Sequence, residues 1–385
     1  MNSRKNYHRI FELPKSSFFL FGPRGTGKTT LMETLAFAKV EISLLDEERY
    51  QAYLAHPKLF YEELSSLKGG EWVFVDEIQR LPGLLNEVHR LIEKKRIKFA
   101  MTGSSARKLR RAGVNLLAGR ALSRQLFPLT PMEMGADFDL EKVLETGSLP
   151  LIIQSETPEE TLKSYAQSYL KEEIQAEALV RNLSGFSRFL PIAALFHGQT
   201  LNLANIARDA GVQRPTVQGF FEVLEDTLLV RKLEAYTSRL RVREKRKPKF
   251  YFIDPGIVRA LKKERGPISA EQRGPLFEGL IYMLLEFQKE VFGAIEEIYY
   301  WSPAEAKLTE VDFLLKYEKR FIAIEVKSSE NVRPEDLKGL QAINELNGIA
   351  RRILIYRGSR DRTTEDGIEI LSFASFVKLL QKQEI

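Results

Sequence analysis

The segment Gly22-Pro23-Arg24-Gly25-Thr26-Gly27-Lys28-Thr29 constrains this chain more than any other, because it meets the phosphate-binding pattern G-x-x-x-x-G-K-[ST] at every specified position. Glycines at Gly22, Gly25 and Gly27 let the backbone wrap close to a phosphate chain and aim N–H groups at it, with Pro23, Arg24 and Thr26 completing the cradle. Lys28 places a positive charge near the β- and γ-phosphates, and Thr29 offers a hydroxyl to Mg²⁺. Ser17 to Phe21 reads as a buried strand entering the loop. Thr30 opens a helix expected to run to Lys39, its N-terminus facing the phosphates. The expected cofactors are ATP and Mg²⁺.

With 385 residues and 44% hydrophobic composition, the chain is long and apolar enough for two or three packed domains. The lack of cysteine excludes a disulfide framework and thiolate metal sites. No run approaches the ~20 apolar residues of a membrane span, and the N-terminal segment lacks the apolar core of a secretion signal, so a cytoplasmic protein with no membrane partner is expected. The net charge of +6 is unevenly spread: from Arg239 to Lys249, seven Lys or Arg stand against the single Glu244, a local excess equal to that of the whole chain. The four histidines, His8, His56, His89 and His197, are scattered and form no metal-binding spacing.

Further along, Trp72-Val73-Phe74-Val75-Asp76-Glu77 is an apolar strand ending in two carboxylates. At this distance after a phosphate-binding loop, Asp76 is placed to hold Mg²⁺ and Glu77 to polarise the water that attacks the γ-phosphate. A third strand, Ile97 to Met101, ends in Thr102-Gly103-Ser104-Ser105. A hydroxyl there, Ser104 in particular, either senses the γ-phosphate or caps the next helix. Arg120 is the candidate arginine finger for a neighbouring subunit's site, with Arg107 and Arg124 as rivals.

The runs FGPRGTGKTTL, FVDEIQRLP, TGSSARKL and LAGRA, and the segment Leu126 to Glu133, resemble the bacterial and archaeal AAA-type ATPases that carry a C-terminal DUF4143 region. The resemblance implies an open parallel sheet with helices on both faces and the nucleotide at the carboxyl ends of the strands. It also implies a nuclease-like fold in the C-terminal region.

In the middle of the chain, Leu140 to Phe189 is helical by pattern. Leu203 to Val212 reads as a short helix stopped by Gly211, and Pro215 opens a second helix over Thr216 to Leu224. Leu228 to Val230 and Lys249 to Ile253 read as strands flanking the basic stretch. Together these make a winged-helix arrangement with its charge at the wing. Arg214, Arg241, Arg243, Lys245, Arg246 and Lys247 are the candidate phosphate contacts to DNA; the alternative is a solvated basic face.

Near the C-terminus, Val311-Asp312-Phe313-Leu314-Leu315 and Phe321 to Lys327 read as a hairpin. Asp312 then lies near Glu325, and Lys327 shares the face of Glu325. Two carboxylates and an ammonium on an apolar sheet are costly to bury unless they bind something, and Mg²⁺ or Mn²⁺ is the natural occupant. Asp, a gap of about a dozen residues, then Glu-x-Lys is the pattern of the PD-(D/E)xK nuclease fold; Glu278, in the helical stretch Leu276 to Phe287, supplies the extra carboxylate.

The expected molecule is a multidomain α/β protein. It has an AAA-type ATPase core over residues 1–139, a helical lid or linker over 140–192, a winged-helix domain over 193–262 and a nuclease-like α/β domain over 263–385. The expected function is nucleotide-controlled action on DNA in a homo-oligomer. The alternative is an ATP-switched scaffold, or a transcription regulator that binds DNA without cutting it.

Overall fold

A computed structural model describes residues 6–105, 109, 116–169, 182–237, 247–302 and 309–385. The chain divides into two compact units: one of residues 1–129, 149–154 and 222–229, the other holding the rest. Among the described residues no helix is long and apolar enough to cross a membrane.

The first unit is built on a parallel sheet of β1 (Phe18–Phe21), β2 (Val40–Ser43), β3 (Trp72–Asp76), β4 (Lys98–Gly103) and β5 (Leu122–Gln125), in the spatial order β2-β3-β4-β1-β5. All four residues of β1 are buried. Their alternate faces feed two cores: Phe19 and Phe21 pack with Val73, Val75, Phe99 and Met101, whereas Phe18 and Leu20 pack with Leu31, Met32 and Phe74. A strand buried on both sides reads as a continuous apolar run, which is what parallel sheets require. The first helix spans Lys28–Leu35, ending short of Lys39. Ala36 takes a left-handed conformation (φ 46°) that closes it. Phe37 then packs edge-on against Trp72, and the Lys39 N–H bonds the Trp72 carbonyl, leading the chain into β2.

In the second unit one sheet has nine strands: β6 (Gln199–Thr200), β7 (Val230–Ala235), β8 (Lys249–Phe252), β9 (Glu297–Trp301), β10 (Val311–Tyr317), β11 (Arg320–Lys327), β12 (Ile349–Tyr356), β13 (Arg362–Thr363) and β14 (Ile368–Ser372), ordered β13-β14-β12-β11-β10-β9-β7-β8-β6. The ribbon expected to have two strands has three, because β6 adds to β8. The ribbon also continues into the C-terminal strands, since β7 pairs in parallel with β9 through Glu234↔Tyr299 and Ala235↔Tyr300. Strand β7 begins at Val230, not Leu228, whose positive φ of 59° places it in the turn that precedes the strand.

Helices Leu203–Ala210 and Arg214–Asp226 stand where the sequence places them, the first capped by Asn202 and stopped by Gly211 in a left-handed conformation. Pro191 lies inside the helix Leu183–Leu195. Burial of Phe186 and Phe189 against Phe220 and Phe221 outweighs the hydrogen bond that proline forfeits.

A long helix, Ala270–Phe292, lies against the sheet of this unit; Tyr282 stacks on Phe313 of β10 with ring centroids 5.5 Å apart. Gly279 lets it approach closely: a Cβ there would stand 2.3 Å from His197 Nε2 and 2.7 Å from Cε1. Gly279→Ala should therefore lower stability by about 1–3 kcal/mol through overpacking, outweighing the roughly 1 kcal/mol that alanine adds to a helix. A urea midpoint for the second unit equal to or above that of the wild type would refute this.

Candidate functional site

The phosphate-binding loop leaves the end of β1, which lies between β4 and β5 in the first sheet. Gly25 and Gly27 take φ values of 83° and 84°, which glycine adopts without steric cost. Gly22 has no room for a side chain, since a Cβ would lie 2.5 Å from the Leu126 carbonyl oxygen. Lys28 is buried, and its Nζ donates to the carbonyls of Gly22 at 2.8 Å and Pro23 at 3.2 Å. Thr26 Oγ1 donates to the Pro23 carbonyl at 2.8 Å. Arg9, which sequence reasoning missed, ties this loop to the end of the sheet: Nη1 donates to the Thr26 carbonyl and Nη2 to the Phe127 carbonyl, each at 2.7 Å. Arg24 and Thr30 lie in the loop and the first helical turn, as expected.

Strand β3 delivers Asp76 beside this loop. Thr29 Oγ1 lies 3.0 and 3.1 Å from the two Asp76 carboxylate oxygens. Thr102, at the end of β4, also donates its hydroxyl to Asp76 and accepts the Glu77 backbone N–H at 3.2 Å. Ser104, the candidate sensor, accepts Gln79 Nε2 at 3.3 Å. Gln79 Nε2 also donates to the Glu77 carboxylate. Glu77 itself has a positive φ of 58°, an uncommon conformation for a non-glycine residue and one that recurs at functional sites. Gln79 is thus a positioning residue for Glu77, and Thr102 one for Asp76. The turn Ile78–Arg80 carries Gln79 back under the strand end, a placement no motif announces.

Arg120 is exposed and ion-paired with Glu93 of the helix Leu85–Lys95. Its rival Arg124 is exposed on β5, and Arg107 lies outside the described residues.

The C-terminal constellation assembles on β10 and β11. Their antiparallel register runs from Phe313↔Ile324 to Tyr317↔Arg320, so the next step sets Asp312 opposite Glu325. The Val326 N–H donates to Asp312 Oδ2 at 2.8 Å, and Lys327 Nζ lies 2.5 Å from Glu325 Oε1. Between Val311 and Leu314 strand β10 gains one residue against β9, a bulge that re-aims side chains at the position of Asp312. Asp312 is 9% exposed and Glu325 6%, and Glu325 Oε2 is buried with no hydrogen-bond partner. Burial first, then repulsion from Asp312, pushes the Glu325 carboxyl well above the usual carboxylate range, against the pull of Lys327.

Glu278 enters this cluster from the long helix. Its Oε1 accepts from Tyr251 Oη at 2.5 Å and lies 3.5 Å from Lys249 Nζ. Burial and Asp312 raise its carboxyl to about 7, opposed by Lys249 and Tyr251. Lys249, counted in the sequence among the basic residues of the ribbon, is buried at 5% exposure and also pairs with Glu310. Neither Lys249 nor Tyr251 could be assigned to this cluster without knowing that β8 lies near it. As the side chains stand, no group of three His, Asp or Glu among the described residues is spaced to hold a metal ion.

Of the candidate DNA contacts, Arg214 is exposed at the start of its helix and Lys247 is exposed just before β8. Arg241, Arg243, Lys245 and Arg246 lie outside the described residues.

Residues 15–135 match the family model of an AAA domain, residues 137–267 a domain of unknown function (DUF8612) and residues 273–376 another, DUF4143. The chain therefore carries an AAA-type, P-loop nucleotide-binding domain followed by a DUF4143 region. An uncharacterized protein of Mycobacterium tuberculosis is 25% identical over 381 residues, covering 94% of this chain and 82% of that protein. An uncharacterized protein of Haemophilus influenzae is 21% identical over 404 residues, covering 96% of this chain and 97% of that one. Among solved structures, the Aeropyrum pernix ORC1 protein in complex with DNA aligns at 14% identity and a TM-score of 0.29, over 66% of this chain and 87% of its own. Scores at that level carry no reading of what this chain binds.

Proposed function

We propose that this protein is an ATP-hydrolysing enzyme that acts on DNA, its AAA-type core controlling a metal-dependent, PD-(D/E)xK-type nuclease site in the C-terminal region. The observation that carries the nuclease reading is the buried face-to-face pair Asp312 and Glu325 with Lys327 beside it, an arrangement costly to fold for packing alone.

In the ATPase site Lys28 binds the phosphates, Glu77 orients and deprotonates the attacking water, and Gln79 fixes the carboxylate of Glu77. Thr29 and Asp76 present a hydroxyl and a carboxylate within hydrogen-bond reach of each other, a donor set suited to a hard cation, and would hold the Mg²⁺ that accompanies ATP. In the nuclease-like site Asp312 and Glu325, with Glu278 nearby, would hold Mg²⁺ or Mn²⁺, which supplies charge stabilisation at the scissile phosphate. Lys327 orients the attacking water or neutralises the phosphate. The helices Leu203–Ala210 and Arg214–Asp226 with the ribbon β7–β8 act as a winged helix that holds DNA by its backbone, through Arg214, Lys247 and the basic segment between the strands. Arg120 serves a neighbouring subunit in a homo-oligomer, released from Glu93.

A second reading, an ATP-switched scaffold or a transcription regulator, is favoured by one observation: Lys249 and Lys327 already pair with the carboxylates. Cleavage of single-stranded, duplex and branched DNA in Mg²⁺ or Mn²⁺, with and without ATP, separates the two. Wild type should cut, Asp312→Ala should not, and Lys28→Ala should respond differently to ATP. ATP hydrolysis with no cleavage of any substrate would move the second reading ahead.

A further inference from the structure

Two arginines far apart in the sequence share one carboxylate in the second unit. Arg273, in the first turn of the helix Ala270–Phe292, places Nη2 3.1 Å from Glu141 Oε2, and Arg357, the residue after β12, places Nη2 2.5 Å from Glu141 Oε1. Each guanidinium thus takes one oxygen of the same group. Both are also fixed by the backbone: Arg273 Nη2 donates to the Ile268 carbonyl at 3.3 Å, and Arg357 Nη1 to the Ser328 carbonyl at 3.2 Å. Burial is uneven, with the Arg357 and Arg273 side chains 15% and 24% exposed and that of Glu141 42%. The pair of arginines is therefore the ordered part, and the carboxylate is its more solvent-facing occupant. The Nε atoms of both arginines are buried with no hydrogen-bond partner, so Glu141 and the carbonyls satisfy them only in part. Glu141 is not needed to start its own helix, Leu140–Thr146, which Asp139 caps.

The arginines stand beside the end of β11. Tyr356, the neighbour of Arg357, is the register partner of Lys327 in the parallel pair β11–β12, and Ser328 follows Lys327. On the helix side, a Cβ at Gly274, next to Arg273, would lie 3.8 Å from Ser328 Oγ. Two guanidinium groups converging on two anionic oxygens recognise a phosphate as well as they do a carboxylate. We infer that Arg273 and Arg357 form a clamp for a backbone phosphodiester of DNA, and that Glu141 is its built-in competitor, filling the clamp while DNA is absent. A clamp of this kind reads no bases; it sets where the strand lies relative to Lys327. The inference rests on the DNA-acting reading of the C-terminal region and adds the contact that positions the substrate there. It requires no metal ion.

The test is binding of a fluorescein-labelled DNA oligonucleotide, single-stranded and annealed, to the full chain in chelator without nucleotide, read by anisotropy across a salt series. Glu141→Gln should bind about tenfold more tightly than wild type, because the competing charge is gone, and its logarithmic salt slope should steepen by about one. Adding Arg273→Gln or Arg357→Gln to Glu141→Gln should abolish that gain. Glu369→Gln, which removes a carboxylate held by Arg351 in the same unit, should stay within about twofold of wild type. Urea midpoints check the folding of the arginine variants, and Arg357→Lys, which keeps the charge but not the fork, carries the same comparison if the glutamine variants are unstable. DNA bound by wild type, with Glu141→Gln no tighter than Glu369→Gln, overturns the clamp and leaves the DNA-acting reading standing. A Glu141→Gln protein that gains affinity for inorganic phosphate and none for DNA makes this a small-anion site and also overturns the clamp. DNA bound by none of the proteins overturns both.

Discussion

Glu77→Gln is expected to bind ATP as wild type does and to hydrolyse it at least about a hundredfold more slowly, the usual loss when a positioned general base is removed. Phosphate release and the fluorescence of a labelled ATP analogue measure the two properties separately. The prediction follows from how the strand end is built. Asp76 is held by the hydroxyls of Thr29 and Thr102 on either side, so it has no free orientation from which to replace the lost carboxylate. Glu77 sits one residue on, turned away from the strand by its left-handed backbone and secured by Gln79. Gln79→Ala should produce the same defect in weaker form, lowering turnover without weakening nucleotide binding. Lys28→Ala should do the reverse and weaken binding first, because Lys28 contributes charge to the bound phosphates in ground and transition states alike. Turnover of Glu77→Gln within a few-fold of wild type would remove Glu77 from the mechanism.

The ATPase site was legible because its chemistry is local in sequence. A loop of eight residues contains the whole phosphate cradle, and Asp76 and Glu77 are adjacent. What was not legible needed the sheet order. Strand β4 lies between β1 and β3, which puts Thr102 against Asp76; the sequence alone gave no reason to prefer Thr102 to Ser104. Arg9 reaches across 118 residues to Phe127, a distance no pattern bridges. The β10–β11 pairing was legible for the same reason as the loop, since a hairpin's register follows from its short turn. The bulge opposite β9 was not, because it depends on a strand that pairs from outside the hairpin.

Lys249 shows most clearly where composition misleads. In the sequence it closes a run of seven basic residues and is naturally read as one more solvated cation. In the fold all four residues of β8 are buried, and Lys249 faces carboxylates from a helix and from the residue just before β10, far along the chain. Net charge over a window describes what a segment shows to solvent only if the whole segment faces solvent. Pro191 carries the complementary lesson: a residue that breaks helices by its own chemistry is overridden when the phenylalanines that precede it in the helix are packed.

His197, to which the sequence assigned no role, should make the second unit acid-labile. Its ring lies edge-on to Tyr251, and Nδ1 accepts the Phe252 backbone N–H at 3.1 Å, which requires the neutral ring. Burial, and secondarily the charge of Lys262, lowers its pKa to about 3. The sign follows directly. The folded state holds the ring neutral, whereas the unfolded chain takes up a proton below about pH 6.5, so the contribution is complete above that pH and is lost as the pH falls from 6.5 towards 3. Each pH unit in that window should cost about 1.4 kcal/mol, enough over two units to consume a large part of a marginal domain's stability. Carboxylates titrate over part of the same range, so the measurement is a difference: urea midpoints of wild type and His197→Gln, followed in the second unit by hydrogen exchange between pH 7.5 and 4.5. Wild type should be the more stable at pH 7.5, since glutamine replaces a packed ring, and the two midpoints should converge as the pH falls. Parallel profiles would mean that His197 takes up its proton in the folded state, and the neutral buried ring would have to be abandoned.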